Sequence, residues 1–265
     1  MLEHFSYSSL QTFDKCPAQF KFRYIDFIKK PDEGIEAFMG KRAHESIEYL
    51  YKMVMNGTIP LWDEIRKVYV SLWAGKWHDR VAIVYSNNPP RYYFGLGESC
   101  LARFYRHYSP FNEPAIATEH EIIFPVGGDS AYKIKSIIDR IDHNQNGDWE
   151  IHDYKTGKRS LTQSQADRDN QLAIYNLALL YKADNIQSVT LVWHFLQQGE
   201  EIRSKRTKQD LRTLEKKIKD KIDQIRKRID YGGDFQPKPT QLCNWCYYWE
   251  ECPAKSGSNP YIMER

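Results

Sequence analysis

Hydrophobic positions along the chain recur at helical spacing near both ends and at strand-like spacing in the middle. Leu10, Phe13, Phe20 and Tyr24 keep helical spacing, and Ser8 followed by Gln11 reads as a capping box. A first helix is therefore expected from Ser8 to about Tyr24. A polar loop with Pro31 and Gly34 follows, then a second helix from near Ala37 past Leu50. Residues 57–112 are rich in Trp, Tyr and Phe without alternation, and are expected to be helices and loops inserted ahead of a sheet. Strands are expected at Glu119–Val126, ending at Gly127-Gly128, at Tyr132–Asp142 and at Asp148–Tyr154. Asn146-Gly147 between the last two is a hairpin signal. Asp167–Tyr181 reads as a helix with Leu172, Tyr175 and Leu179 on one face, and Ser188–Leu196 as a strand. Leu211, Leu214, Ile218, Ile222, Ile225 and Ile229 step by three or four, the single apolar stripe of a long helix. This order predicts an α/β core with a mixed sheet, carrying a helical insertion.

Composition narrows the class. A chain of 265 residues that is 41% hydrophobic and 28% charged can bury a substantial core. No internal repeat or low-complexity segment interrupts it. No apolar run approaches the ~18 residues of a membrane helix. Met1–Ser6 lacks the basic-then-apolar sequence of a secretory signal. The expectation is a cytoplasmic protein, or one of the host cytoplasm if phage-encoded, with no membrane partner. The net charge of +3 conceals an asymmetry: Arg203–Arg228 holds twelve Lys/Arg against four Asp/Glu. Such a stretch is either a contact for a phosphate backbone or the solvated face of an amphipathic helix. Gly157-Lys158-Arg159 lacks the earlier Gly and the following Ser/Thr of a phosphate-binding loop, so any motor would be a separate chain.

The hairpin carries the chemistry. Centred on Asn146, it sets Asp139 opposite Asp153, each seven residues away. Asp153 and Lys155 share a strand face, being two residues apart. Two carboxylates and an ammonium would then meet among Ile137, Ile141 and Ile151. Like charges opposed on a sheet repel, and desolvating them adds to the penalty. A divalent cation offsets both, and oxygen ligands suit Mg²⁺ or Mn²⁺. Lys155 would orient or help deprotonate a metal-bound water, or stabilise charge on an attacked phosphate. The plainer alternative is an exposed hairpin bearing an Asp–Lys pair, and Asp142, on the opposite face by parity, fits that description. Taken singly, His44, Gln171 and Tyr175 read as structural or surface residues.

Taken together, these residues resemble the RecB-like branch of the PD-(D/E)xK nucleases. Five features stand in that family's order: Ser8-x-Leu10 with Cys16-Pro17, Gly40-x-x-x-His44, Ile138-Asp139-Arg140-Ile141-Asp142, Ile151-His152-Asp153-Tyr154-Lys155-Thr156-Gly157, and Gln171-Leu172-x-x-Tyr175. The resemblance covers nearly the whole chain except 57–112. It implies a restriction-endonuclease-like core, a central mixed sheet flanked by helices, in a single nuclease domain spanning 1–265. It implies that Asp139 and Asp153 hold the metal, that His44 adds a nitrogen and the Tyr154 carbonyl an oxygen, and that Lys155 is the catalytic lysine. Gln171 and Tyr175 would brace the site or contact DNA. Ser136 departs from the glycine that the family often carries three residues before the metal Asp.

The cysteines extend the reading. Cys243-x₂-Cys246-x₅-Cys252 is compact enough for metal ligation, with Cys16 as the candidate fourth thiolate. One cysteine before the nuclease motifs and three after resembles the AddB-type and CRISPR-adaptation nucleases, which implies a 4Fe–4S cluster, with structural zinc as the alternative. The tail 236–265 would pair with Cys16, and Trp245, Tyr247, Tyr248 and Trp249 would shield the sulfurs. Cys100 reads as a buried small apolar residue. Trp62, Trp73, Trp77, Tyr92, Tyr93 and Phe94 in the insertion are either core residues or stacking platforms for unpaired bases. The expectation is a metal-dependent DNA nuclease, an exonuclease on single strands or ends, in repair, recombination, phage or CRISPR-integration roles with a separate helicase or integration partner. The rival is a non-cutting DNA-binding or assembly subunit with the same fold.

Overall fold

The computed structural model describes residues 2–84 and 87–255. Residues 256–265 of the expected cluster tail, and Tyr85 and Ser86 of the insertion, lie outside the described residues. Helix α1 (Tyr7–Lys15) and the single turn α2 (Pro17–Phe20) lead through a π-helical turn (Lys21–Ile25) to β1 (Glu33–Gly34) and the long α3 (Ile35–Met55). Next come α4 (Trp62–Lys76), β2 (Val81–Ala82) and α5 (Pro90–Tyr108). The sheet follows as β3 (Ala115–Pro125), β4 (Lys133–His143) and β5 (Trp149–Lys155), then α6 (Gln163–Ala166), α7 (Gln171–Lys182), β6 (Val189–Phe195), β7 (Glu200–Lys205) and α8 (Lys208–Asp230). A 3₁₀ turn, Gln241–Trp245, opens the tail.

The main sheet has the order β3-β4-β5-β6-β7. Only β5 and β6 run parallel. A parallel pair needs a crossover, and α7 supplies it. One core joins Ile134, Ile138, Ile151, Leu191 and Trp193 of the sheet to α7 and to the apolar stripe of α8. A second joins Tyr154 and Leu196 to α3, α4 and α5. Ile151 and Tyr154 are three residues apart on one strand and serve opposite faces, as the alternation of a strand requires. This is the expected mixed sheet flanked by helices. No helix among the described residues is long and apolar enough to cross a membrane.

Local details differ from the spacing argument, each for a physical reason. The expected first helix is broken at Cys16, which is extended (φ −157°, ψ 104°). Proline at the next position disfavours the helical region for the residue before it and starts a new helix cleanly. The capping box is formed by Ser6 and Ser9, not Ser8 and Gln11, with reciprocal bonds of 3.1 and 2.9 Å. The expected helix at Asp167 begins instead at Gln171, because Asp169 Oδ1 accepts the backbone N–H groups of Gln171 (2.9 Å) and Leu172 (3.3 Å) and so caps the turn. Strand β3 starts at Ala115. Three strands had no sequence signal: β1, in the expected polar loop, β2 inside the insertion, paired with β1, and β7, an edge strand of mostly charged residues.

Candidate active site

The β4–β5 ladder pairs Arg140 with His152, Ile141 with Ile151 and Asp142 with Glu150. The same register sets Asp139 across from Asp153, as the hairpin count predicts. Asp139 Oδ2 accepts the backbone N–H of Tyr154 at 2.9 Å, which fastens the carboxylate across the strand gap. Asp153 Oδ2 lies 2.7 Å from Lys155 Nζ. Gln171, at the start of α7, bridges the pair: its Nε2 donates to Asp153 Oδ1 at 2.9 Å, and its Oε1 accepts from Lys155 at 2.9 Å. Tyr175, one turn on, has its hydroxyl 3.2 Å from Gln171 Nε2.

His44 reaches this point from α3. Its Nε2 lies 2.6 Å from the Tyr154 carbonyl oxygen and its Nδ1 3.4 Å from Asp139 Oδ2. Gly40, one turn earlier, explains the approach: a Cβ there would meet Thr156 Oγ1 at 2.8 Å. Glycine lets the helix lie against the end of β5, and the His one turn later follows it in. The structure thus brings together His44, Asp139, Asp153, Tyr154, Lys155, Gln171 and Tyr175.

Glu119 joins them without having been singled out. The β3–β4 register pairs Thr118 with Arg140 and His120 with Ile138, so Glu119 stands across from Asp139. Ligand atoms of His44, Glu119 and Asp139 all lie within 4.8 Å of one another. Glu119 adopts a left-handed backbone (φ 46°), a conformation that tends to cluster at functional sites. The signal for it was available: counting outward from the turn at Asp129 places 119 opposite 139, just as counting from Asn146 places 153 there.

The electrostatics show crowded carboxylates. Burial pushes Asp139 up to about 6, with Asp153 adding to the shift and His44 opposing it. Burial, helped by the Asp139 charge, pushes Glu119 up to about 7. Burial alone would lower Lys155, but the charges and hydrogen bond of Asp153 and the charge of Asp139 outweigh it, so the ammonium is held above its ordinary value. At neutral pH this lysine is a cationic donor.

Two local expectations are corrected. Ile137 does not enclose the carboxylates; it is 41% exposed. Beside Ile134 the neighbour of β4 is the N-terminal segment, through Phe5, whereas β5 pairs only from Arg140 onward. The strand edge between them is open. Asp142 is not an exposed hairpin residue but is buried and paired with Arg140 (Nε–Oδ1 2.8 Å). Arg140, also buried, stacks over the Tyr51 ring and contacts His152 at 3.0 Å. His152 Nδ1 lies 2.9 Å from His194, whose other nitrogen meets Tyr108 at 2.8 Å. Burial, reinforced by Arg140, lowers both histidines well below their ordinary value and keeps them neutral. This network backs the strands that carry Asp139, Asp153 and Lys155, on the face opposite α7.

Cys16, Cys243, Cys246 and Cys252 line one cavity of 190 Å³ with Phe22, Pro239 and Trp249. The break at Cys16 and the 3₁₀ turn at Cys243 aim the thiols inward. Gln19 Nε2 lies 3.9 Å from Cys246 Sγ and Thr240 N–H 3.3 Å from Cys243 Sγ. Of the four aromatics expected to shield the sulfurs, Trp249 lines the cavity. Tyr248 instead packs on Phe22 (5.7 Å) and donates to the Ile28 carbonyl at 3.1 Å. Cys100 lies elsewhere, fully buried.

The insertion aromatics are mostly core. Trp73 packs edge-on to Phe38 at 5.0 Å, Trp62 meets Tyr105 at 5.8 Å, Phe94 meets Tyr69 at 5.2 Å, and Tyr93 is buried. Trp77 and Tyr92 keep exposed surface. The basic stretch divides likewise. Lys208, Arg212, Lys216, Lys217 and Lys227 are exposed on α8. Arg206 is tied to the Ala166 and Asp169 carbonyls, Lys221 to Asp14, and Arg228 lies over Phe13.

Comparison with known proteins places this geometry. A family model described as the PD-(D/E)XK nuclease superfamily matches residues 4–253. Among solved structures, a protein from Eubacterium rectale provisionally named an exonuclease aligns over 93% of this chain and 88% of its own, with TM-score 0.54 and 14% identity. The protein SSO0001 aligns over 94% and 96%, with TM-score 0.37 and 18% identity. A search of curated proteins finds no match.

Proposed function

The chain belongs to the PD-(D/E)XK nuclease superfamily, and from that premise we propose that it is a metal-dependent deoxyribonuclease of the RecB-like branch. In this reading it forms a single nuclease domain and degrades DNA from ends or along single strands. The observation that carries the reading is the convergence of Asp139, Asp153 and Lys155 on neighbouring strands, with His44 and Glu119 closing on Asp139. The donor set fits a hard divalent cation: carboxylate oxygens, one carbonyl oxygen and one imidazole nitrogen. Burial and mutual repulsion push the carboxyls of Glu119 and Asp139 up to about 7 and about 6, a cost that a bound cation would offset. His44, Glu119, Asp139, Asp153 and the Tyr154 carbonyl would hold Mg²⁺ or Mn²⁺. A bound ion of this kind polarises a phosphoryl oxygen and acidifies a bound water.

The remaining steps belong to the chain's own residues. Asp153 and Gln171 fix the Lys155 ammonium from two sides, so it points one charged donor at the edge where a phosphate lies. There it orients the attacking water and offsets charge building on the phosphate oxygens. Tyr175 holds Gln171, and Tyr154 N–H keeps Asp139 aligned. Digestion of labelled linear and circular single-stranded DNA with Mg²⁺ or Mn²⁺ tests the reading. Wild type should degrade the linear strand and spare the circle, and Lys155→Ala should lose at least a hundredfold in rate. Equal rates in both proteins would refute the role of Lys155. Cutting of the circle would make the enzyme an endonuclease, and no cutting by either protein would favour the non-cutting subunit.

The four thiols that share one cavity support the iron–sulfur subset, with N–H donors on two sulfurs of the kind that tune such centres. The cluster would staple the N-terminal helices to a tail more than two hundred residues away. Brown protein with stoichiometric iron after anaerobic purification is expected. A colourless protein holding zinc would replace the cluster with a structural zinc site.

A further inference from the structure

A cavity of 730 Å³ opens beside the catalytic residues, lined at one end by Gln171 and Tyr175 and along its floor by Lys135–Ile137, just ahead of Asp139 in β4. It occupies the open edge where β4 has lost Phe5 as a neighbour and has not yet gained β5. Its size lies within the roughly 300–1,000 Å³ typical of small-molecule sites. The α1 side offers the hydroxyls of Ser6, Tyr7 and Ser8. Across from them stands Phe27, which lines the same cavity.

Phe27 is unusual on two counts. It is 67% exposed, and its backbone is left-handed (φ 52°). A bulky residue adopts that conformation only where its surroundings impose it, whereas glycine adopts it freely. The surroundings do impose it. Ile28 N–H bonds to the Phe22 carbonyl at 2.9 Å, Lys21 pairs with Asp26 at 2.6 Å, and Tyr248 of the cysteine tail holds the Ile28 carbonyl. Lys30 pairs with Glu251 at 2.7 Å and Glu250 at 3.1 Å. The tail that carries three of the cysteines therefore clamps the loop that presents this phenyl ring.

We propose that Phe27 is the stacking wall of a subsite for unpaired bases at the end of a DNA strand, continuous with the candidate active site. This rests on the nuclease reading and adds its strand selectivity. The phenyl and Ile137 offer flat and aliphatic surface to a base face, and the α1 hydroxyls offer partners to its polar edge. Stacking on an aromatic ring is indifferent to sequence but requires a base freed from its pair. A duplex end keeps its bases stacked on each other and gains nothing from the ring.

The test uses the full chain without divalent metal and an oligonucleotide ending in 2-aminopurine, whose fluorescence is quenched by stacking. Phe27→Gly should weaken single-strand binding about tenfold and abolish the quench. Its unfolding midpoint should stay at or above that of wild type, because glycine relieves the backbone. Phe27→Trp should bind as tightly as wild type and quench as strongly. A blunt duplex of the same sequence should bind all three alike. Wild-type affinity in Phe27→Gly would overturn the proposal. So would a loss shared equally by single strand and duplex, which would mark a structural role. If the predicted binding pattern appears but wild type cuts no DNA, the subsite stands and the nuclease reading falls.

Discussion

Replacing Asp139 with asparagine should stabilise the metal-free protein while destroying its activity. Asp139 has only 13% of its side chain exposed, and burial raises its carboxyl from 3.8 to about 6. That displacement corresponds to about 3 kcal/mol of destabilisation when both folded and unfolded chains are ionised, at pH 8. Asparagine keeps the shape and still offers an oxygen to Tyr154 N–H, but carries no charge to desolvate. At about 2 °C per kcal/mol for a chain of this size, the unfolding midpoint of Asp139→Asn in chelator should exceed wild type by about 5 °C at pH 8. The sign with pH follows from linkage. The folded carboxyl takes up its proton before the unfolded one, so wild type gains stability as pH falls from the folded value toward the unfolded value. The advantage of the variant should shrink by about half at pH 5 and vanish below about pH 4. Manganese should reverse the order. At a thousandfold over its dissociation constant, a ligand stabilises the state it binds by about 4.1 kcal/mol, more than the advantage of the variant, and only wild type retains the full site. The assay is thermal unfolding of both proteins in chelator and in Mn²⁺. A variant less stable than wild type in chelator at pH 8 would refute the reasoning that an unbalanced carboxylate is stored at this position.

Three further outcomes are expected. Manganese affinity, measured calorimetrically, should weaken as pH falls from 8 to 6, because Glu119 and Asp139 take up protons that compete with the ion; Glu119→Gln should lower the affinity about tenfold or more at pH 8, and a pH-independent affinity would contradict both. Cys246→Ser should lose its bound iron or zinc by elemental analysis while Cys100→Ser keeps it; equal metal content in the two variants would dissolve the link between the cavity and the metal. Ile222→Ala, at a fully buried position on α8, should destabilise the chain by about 2–5 kcal/mol in urea unfolding, and a loss below about 1 kcal/mol would show that α8 is not anchored by its stripe.

The buried pair Arg140–Asp142 shows how the candidate site is held from behind. Charges without water are costly, so each must be paired. Here the guanidinium also engages Tyr51 and His152. The network joins β4, β5 and β6 on the face opposite α7, and thereby fixes the strands whose other face carries Asp139, Asp153 and Lys155.

Much of this was legible in the residues themselves because the information is local. The apolar stripe of α8 follows from steps of three and four. The opposition of Asp139 and Asp153 follows from equal distances to Asn146, since a short hairpin has little freedom of register. The break that points Cys16 at its partners follows from Pro17. Other features arise only when distant segments meet. Glu119 enters the site through the pairing of β3 with β4 and through a left-handed backbone that no residue spacing announces. Strand β7 is an exposed, charged edge with no hydrophobic pattern to betray it, and exists because β6 offers it hydrogen-bonding partners. The burial of Asp142 and the exposure of Ile137 and Phe27 were decided by which neighbours β4 and the first loop acquire on folding. Periodicity along a chain reports the face a side chain takes within its own element. What lies against that face is set by contacts between segments far apart in the chain, and those form only in three dimensions.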